Sequence, residues 1–283
     1  DMAKRSIIPF GPQHPVLPEP VHLDLVLEDE TVVGVIPSIG YIHRGLEKLV
    51  DKRDYKQYTY VAERICGICS CGHGLGYCLA VEQVMNIEVP DRAKYLRTIW
   101  VEMSRVHSHL LWLGLLADAM GFESLHMESW RLREKILDMF DETTGGRIIH
   151  SVNQVGGVQK DMDSTMLNDI LHAIDDIEKQ MKPIVKTFLH DYTVQSRLKG
   201  VGILSKDDAI AQGAVGPMLR ASGVEYDARL LGYGAYKDLT VEPIISKDGD
   251  SYGRCEVRMK ELFQSFDLIR EAIGKIPQGE ISV

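Results

Sequence analysis

The residues best able to do chemistry lie together in Arg64-Ile65-Cys66-Gly67-Ile68-Cys69-Ser70-Cys71-Gly72-His73, a run holding three of the five cysteines in the chain. Cys66 and Cys69 are spaced so that both sulfurs can turn toward one point, and Gly67 lets the backbone bend tightly between them. Thiolate binds soft metals such as zinc, nickel and the iron of iron-sulfur clusters. Four uses of the run compete. A structural zinc site needs four ligands, commonly two such pairs, and the 283 residues hold no second Cys-x-x-Cys. A thioredoxin-like redox pair calls for a preceding strand in a βαβ pattern, which the flanking sequence lacks. An iron-sulfur cluster on Cys66, Cys69, Cys71 and Cys78 departs from the common spacings. A packed group of inert thiols leaves Arg64 and His73 without a role.

The elements around this run follow from pattern. Five prolines between Pro9 and Pro20 exclude regular helix or central strand there. Val21, Leu23, Leu25 and Leu27 alternate with His22, Asp24 and Val26, which predicts a strand with one buried face. The turn Glu28-Asp29-Glu30-Thr31 then returns the chain through Val32 to Ile36 as a hairpin. Ile42 to Leu49 reads as a short helix leading to the cysteines. Beyond His73 the spacing is helical. It predicts a short helix over Tyr77–Met85 and a long one from Pro90 with Leu96, Ile99, Trp100, Met103, Val106, Leu110 and Leu113 on its apolar side. A helix over Ser124–Asp141 is ended by Gly145-Gly146, one capped by Ser164 is stopped at Pro183, and one through Val257–Ile273 is closed by Gly274 and Pro277. His107 and His109 sit two residues apart on the long helix, face different sides, and read as ordinary histidines. The Gly- and Pro-punctuated stretch from Gly200 to Gly253 has no Gly-Lys-Ser/Thr and no flanking strand and helix, which rejects a phosphate loop. The expected class is α+β and mainly α-helical, a central helical bundle with a small N-terminal antiparallel β-sheet, in one domain over residues 1–283.

Composition narrows the function. A hydrophobic share of 45% and a charged share of 26% are ordinary for a globular protein, and a net charge of -9 argues against nucleic acid and anionic lipid as partners. An odd number of cysteines clustered at one place fits a reducing compartment. Asp1 to Phe10 carries no apolar run, so no signal peptide is expected, and Leu110 to Leu116 is too short to span a bilayer. Membrane attachment is expected through partners.

Arg-x-Cys-Gly-x-Cys-x-x-x-His, from Arg64 to His73, resembles the N-terminal metal-binding motif of [NiFe]-hydrogenase large subunits. The resemblance extends through Gly-Pro-Gln-His-Pro at 11 to 15, His-Arg-Gly-Leu-Glu-Lys-Leu at 43 to 49, Gly-Gly-Val at 156 to 158, the Gly213 to Gly223 segment with Asp227, and Pro277 to Val283. This framework is similar to that of two related families, the large subunit of energy-converting membrane-bound [NiFe]-hydrogenases and the quinone-site subunit of respiratory complex I. Of the two, only the hydrogenases keep the cysteines.

The resemblance implies reversible oxidation of dihydrogen at a Ni-Fe(CN)2CO centre, with Cys66 terminal on nickel and Cys69 bridging to iron. His73 is then expected to hydrogen-bond the bridging sulfur, with Arg64 beside it in the catalytic motif. Glu47 resembles a magnesium-binding glutamate, and Glu19, flanked by Pro18 and Pro20 that hold its backbone still, a proton-gate glutamate. The implied partners are a small subunit with a [4Fe-4S] cluster, ferredoxin and membrane ion-translocating subunits. The implied place is cytoplasmic, peripheral on the inner face of the cell membrane. In that family a second Cys-x-x-Cys near the C-terminus supplies two more thiolates. This sequence reaches Ile281-Ser282-Val283 without it, so a missing C-terminal segment is expected. The alternative is a non-catalytic complex-I-like scaffold or quinone-binding oxidoreductase subunit.

Overall fold

The computed structural model describes residues 5–17 and 19–283. Asp1 to Lys4, part of the stretch read for a signal peptide, and Pro18, one of the two prolines expected to fix Glu19, lie outside the described residues. Two compact units divide the chain after Lys52.

In the first unit β1 (Arg5–Phe10), β2 (His22–Glu28) and β3 (Thr31–Ser38) form an antiparallel sheet in the order β1-β2-β3. The predicted hairpin is present, with Asp29 in its turn at φ 54. β1 was not anticipated, because Pro9 discourages a strand. It is tolerated because β1 is an edge strand, where a missing N–H need not break a ladder. The expected one-sided burial of β2 is not seen; every residue of the strand is half-buried. After β1 the backbone crowds at Gly11, where a Cβ would stand 2.0 Å from the Val21 carbonyl oxygen at φ 91, so only glycine fits. Gly45, at φ 67, delays the short helix α1 to Leu46–Val50, later than the apolar spacing suggested.

The second unit is mainly helical. α2 (Tyr55–Glu63) and α3 (Ser70–Met85) flank the cysteine loop, and α4 (Asp91–Ala119) is the longest helix. α5 (Glu123–Thr144), α6 (Ser164–His190), α7 (Tyr192–Leu198), α8 (Lys206–Ala211), α9 (Gly216–Ala221) and α10 (Ser251–Lys275) follow, with a two-stranded β4 (Asn153–Gln154) and β5 (Gly157–Val158) between α5 and α6. α4 is the hub, packed on α3, α5 and α10. Leu96, Ile99, Trp100, Met103, Leu110 and Leu113 are wholly out of solvent. Burial reaches all round the helix, including Arg97 and Glu102, as expected for a helix inside a bundle.

Predicted boundaries move here too, at α10, which begins at Ser251 ahead of Val257, and at α3 and α6. α3 starts at Ser70 instead of Tyr77, so Cys71, His73 and Cys78 are helical. The glycines at 72, 74 and 76 hid this helix from a propensity argument. Asp163, not Ser164, caps α6, its side chain accepting from the Met166 N–H. α6 also continues through Pro183 to His190, because Ile184 and Phe188 bury their side chains on the same packed face and outweigh the lost backbone bond.

Candidate metal centre at the cysteine loop

The turn from α2 into α3 presents the donors. Arg64 ends α2 as its C-cap and donates from Nη1 to the Tyr60 carbonyl at 2.7 Å, holding the exit of the helix. The Ile68 and Cys69 N–H groups both point at the Cys66 sulfur at 3.4 Å, a geometry that stabilises sulfur carrying negative charge. Cys69 is the N-cap of α3, where the helix dipole favours an anion. One turn on, the His73 N–H bonds the Cys69 carbonyl. The donor atoms of Cys66, Cys69 and His73 lie within 4.8 Å of one another, all three residues half-buried. Among the described residues this is the one group of His, Cys, Asp and Glu donors close enough to hold a metal ion together. Partial burial lowers the pKa of His73, which favours the neutral imidazole that ligates metals.

The other three cysteines are different. Cys71, Cys78 and Cys255 are fully buried, and burial pushes their thiols up to about 12, about 11 and about 12. They are packed as neutral thiols. Glu19 and Glu47 belong to the first unit. Glu47 is largely exposed on α1, 3.9 Å from His43.

Sequence reasoning missed the surroundings of the loop. Glu63, three residues before Cys66, is wholly buried and receives the Ser151 N–H at 2.9 Å and its hydroxyl at 3.0 Å. Ser70 donates to the Ile148 carbonyl at 2.6 Å, and Asn153 donates to the Cys71 carbonyl at 3.2 Å. The segment from Ile148 to Asn153 therefore braces both ends of the loop, at Glu63 and at Ser70 and Cys71. His107, read as an ordinary histidine, bonds the Ile68 backbone; burial and the Arg133 charge bring its pKa down to about 3. The one available signal was helical spacing over Tyr55–Glu63, with Tyr58, Thr59, Ala62 and Glu63 on the buried side.

The motifs outside the loop are clamps. Arg97 on α4 pairs with Glu82 on α3 and bonds the Gln154 and Gly157 carbonyls, fixing the Gly156-Gly157-Val158 turn. Ile281 and Val283 pair with that turn, and a Cβ on Gly157 would stand 2.1 Å from the Ile281 carbonyl oxygen. Asp227 bonds Arg229 at 2.8 Å, and Glu261 binds both Arg220 and His109.

Residues 119–283 match the family described as respiratory-chain NADH dehydrogenase, 49 Kd subunit. The chain belongs to that family. Residues 44–120, which include the cysteine loop, match nickel-dependent hydrogenase. The chain is 39% identical to the alpha subunit of the membrane-bound hydrogenase of Pyrococcus furiosus, over 97% of this chain and 66% of that protein. It is 38% identical to an NADH-quinone oxidoreductase subunit of Chloroherpeton thalassium, over 99% of this chain and 64% of that protein. With a subunit of the F(420)H(2) dehydrogenase of Methanosarcina mazei it shares 36% identity over 99% of this chain and 75% of the relative. The chain thus spans about two thirds of the length of the first of these relatives. It is a member of an oxidoreductase-subunit family, with hydrogenase and complex I branches both among its relatives. Among the described residues no helix is long and apolar enough to cross a membrane.

Proposed function

We propose that the chain is the catalytic large subunit of a [NiFe]-hydrogenase, interconverting dihydrogen with protons and electrons inside a membrane-bound assembly. One observation carries the reading: the two sulfurs and the imidazole of Cys66, Cys69 and His73 converge at the N-terminus of α3, inside the stretch that matches nickel-dependent hydrogenase. Two sulfurs and one nitrogen fit a soft metal such as nickel in kind. They supply half of the four thiolates expected by resemblance, and the buried Cys71, Cys78 and Cys255 are not placed to add to them.

When bound, a Ni-Fe(CN)2CO centre supplies an open coordination position that polarises dihydrogen. The protein supplies the rest. Cys66 and Cys69 hold the metals as thiolates, stabilised by the N–H groups aimed at the Cys66 sulfur and by the helix end at Cys69. His73 orients and tunes a neighbouring sulfur or takes a place beside it in the donor set. Arg64 brings positive charge to the loop. Glu19 as proton carrier and Glu47 as magnesium ligand are proposed from the sequence resemblance. Electrons leave through a small subunit with a [4Fe-4S] cluster to ferredoxin, and membrane ion-translocating subunits hold the assembly on the inner face of the membrane.

The match of residues 119–283 to the NADH dehydrogenase subunit favours a second reading, a quinone-site subunit without metals. Metal analysis of the full-length, assembled complex separates the two. Stoichiometric nickel and iron together with dihydrogen evolution are expected; an intact complex that lacks nickel and reduces a quinone would overturn the hydrogenase reading.

A further inference from the structure

We propose that His22 is a proton-operated latch on the Gly-Pro-Gln-His-Pro segment, tying the Gly11 carbonyl to the sheet when its imidazole carries two protons and releasing it when one is lost. The inference goes beyond the hydrogenase reading and stands under either reading, because both share that segment by resemblance. It lies wholly within the first unit.

His22 opens β2 and is half-buried, with 22% of its side chain exposed. Both ring nitrogens face oxygens that accept: Nδ1 lies 3.2 Å from the Gly11 carbonyl and Nε2 lies 3.0 Å from Asp24 Oδ1. A neutral imidazole has one N–H and cannot donate to both. The ring that fits this geometry is the imidazolium, a donor at each nitrogen. Asp24, two residues on along the same strand, is an ordinary partner for a histidine near the surface and by itself would mean little. The Gly11 carbonyl is the informative contact. Its place is set by the close approach at Gly11, φ 91, where a Cβ would meet the Val21 carbonyl oxygen at 2.0 Å. Beyond Gly11 the segment turns on itself, the Leu17 N–H bonding the His14 carbonyl at 3.0 Å and the Val16 N–H bonding His14 Nδ1 at 3.2 Å. His22 thus fastens the start of this turn to β2.

Across from His22 on β3 is Ser38, and across from Asp24 stand Pro9 on β1 and Ile36 on β3, none of which carries charge. Arg5 and Glu28 pair with each other at 2.7 Å at the far end of the strands. In the segment itself His14 stacks on Phe10 at 4.2 Å, and Glu19, further along, is exposed. Asp24 is therefore the charge in contact with His22. When the ring loses a proton, the N–H that remains goes to the carboxylate, the stronger acceptor, and Nδ1 turns a lone pair toward the Gly11 oxygen. That contact becomes repulsive and the segment is released. The proton is exchanged with solvent at the exposed part of the side chain. Imidazoles make this change between pH 5 and 8. Dihydrogen cleavage and quinone reduction both exchange protons with the protein, so the order of the segment follows local acidity.

The test measures amide hydrogen exchange of residues 10–17 by mass spectrometry in the full-length protein within its assembled complex, at about pH 5.5 and about pH 8.5, corrected for the intrinsic pH dependence of exchange. The wild type is expected to lose roughly 10-fold in protection at the higher pH, the size of a charge-assisted hydrogen bond. His22→Leu should show the low protection at both. Asp24→Asn should show the high protection at both, because its amide can donate to Nε2 and leave Nδ1–H for Gly11. The two variants flatten the profile at opposite levels, which a general loss of stability does not do. A flat wild-type profile, a His22→Leu protein with the wild-type pH dependence, or an Asp24→Asn protein that stays pH-dependent each overturns the latch. If His22→Leu fails to assemble, His22→Gln puts a donor that does not titrate in its place; a flat profile then supports the latch, and a wild-type profile sinks it. A complex without nickel bears on the hydrogenase reading alone.

Discussion

Cys69 and Cys71 are two residues apart, yet they belong to different chemistries. Cys66 and Cys69 stand half-exposed in a loop, with backbone N–H groups and a helix end arranged for negative charge and an imidazole within ligand distance. Cys71, Cys78 and Cys255 have the same side chain in the apolar core, where burial keeps the thiol neutral. Access to solvent and to donors, more than residue type, separates a candidate ligand from a packing residue. The same contrast holds for acids: Glu47 is 85% exposed in its side chain, whereas Glu261 is wholly buried and fully partnered.

The sharpest way to break the first contrast is substitution. Cys66→Ser and Cys69→Ser are each expected to abolish nickel retention and dihydrogen evolution in the assembled complex, because a hydroxyl is a poor soft-metal ligand. Cys71→Ser and Cys78→Ser should leave both close to wild type. Equal damage from all four would instead point to a four-cysteine cluster. Next in size is Glu19→Gln, expected to keep nickel, iron and assembly while lowering H2/D+ exchange by roughly 100-fold. Near-normal exchange would remove Glu19 from the mechanism.

Within the core, Glu261→Ala strands Arg220 and His109, and should cost about 3–5 kcal/mol, read as a fall in denaturation midpoint with little change in slope. A change below about 1 kcal/mol would mean that these cations find other partners.

Native thiol labelling near pH 8 should modify Cys66 and Cys69 in the metal-free protein and spare the other three until it unfolds. The linked pH dependence has a definite sign. The buried thiols titrate higher folded than unfolded, so their contribution is complete below the ordinary thiol pKa of 9.0 and is lost as pH rises toward about 12. His107 and His150 are held down to about 3 and about 4 by burial, so the unfolded chain binds protons first on acidification, and stability falls as pH drops from 6.5 through that range. A flat melting temperature between pH 7 and 4 would contradict this. The smallest effect is expected from Glu47→Gln: an unchanged melting temperature, as for any exposed carboxylate, with less magnesium retained by the complex. Unchanged magnesium would leave Glu47 a surface residue.

Much of this architecture is local and therefore legible. Helical spacing located α4, α5 and α10, since a helix that packs must repeat its apolar positions every three to four residues. The N-terminal hairpin was likewise readable from alternation and its acidic turn. Pro183 and the glycines of α3 misled because local propensity is worth about 1–3 kcal/mol, which tertiary burial can exceed. The spacing of Cys66 and Cys69 marked a pair of sulfurs able to face one point, since a short loop with Gly67 constrains them, but it left four uses open.

Convergence over long sequence separations was invisible. That Ser151 seats Glu63 across 88 residues, and that Cys71 lies inside the core while Cys69 does not, were decided only when the Ile148 to Asn153 segment packed against the start of α3. The sequence determined which side chains could bind metal or carry protons, because that is a property of their atoms. Tertiary structure decided which of them meet and which lose water, because burial and hydrogen bonding depend on neighbours brought from elsewhere in the chain.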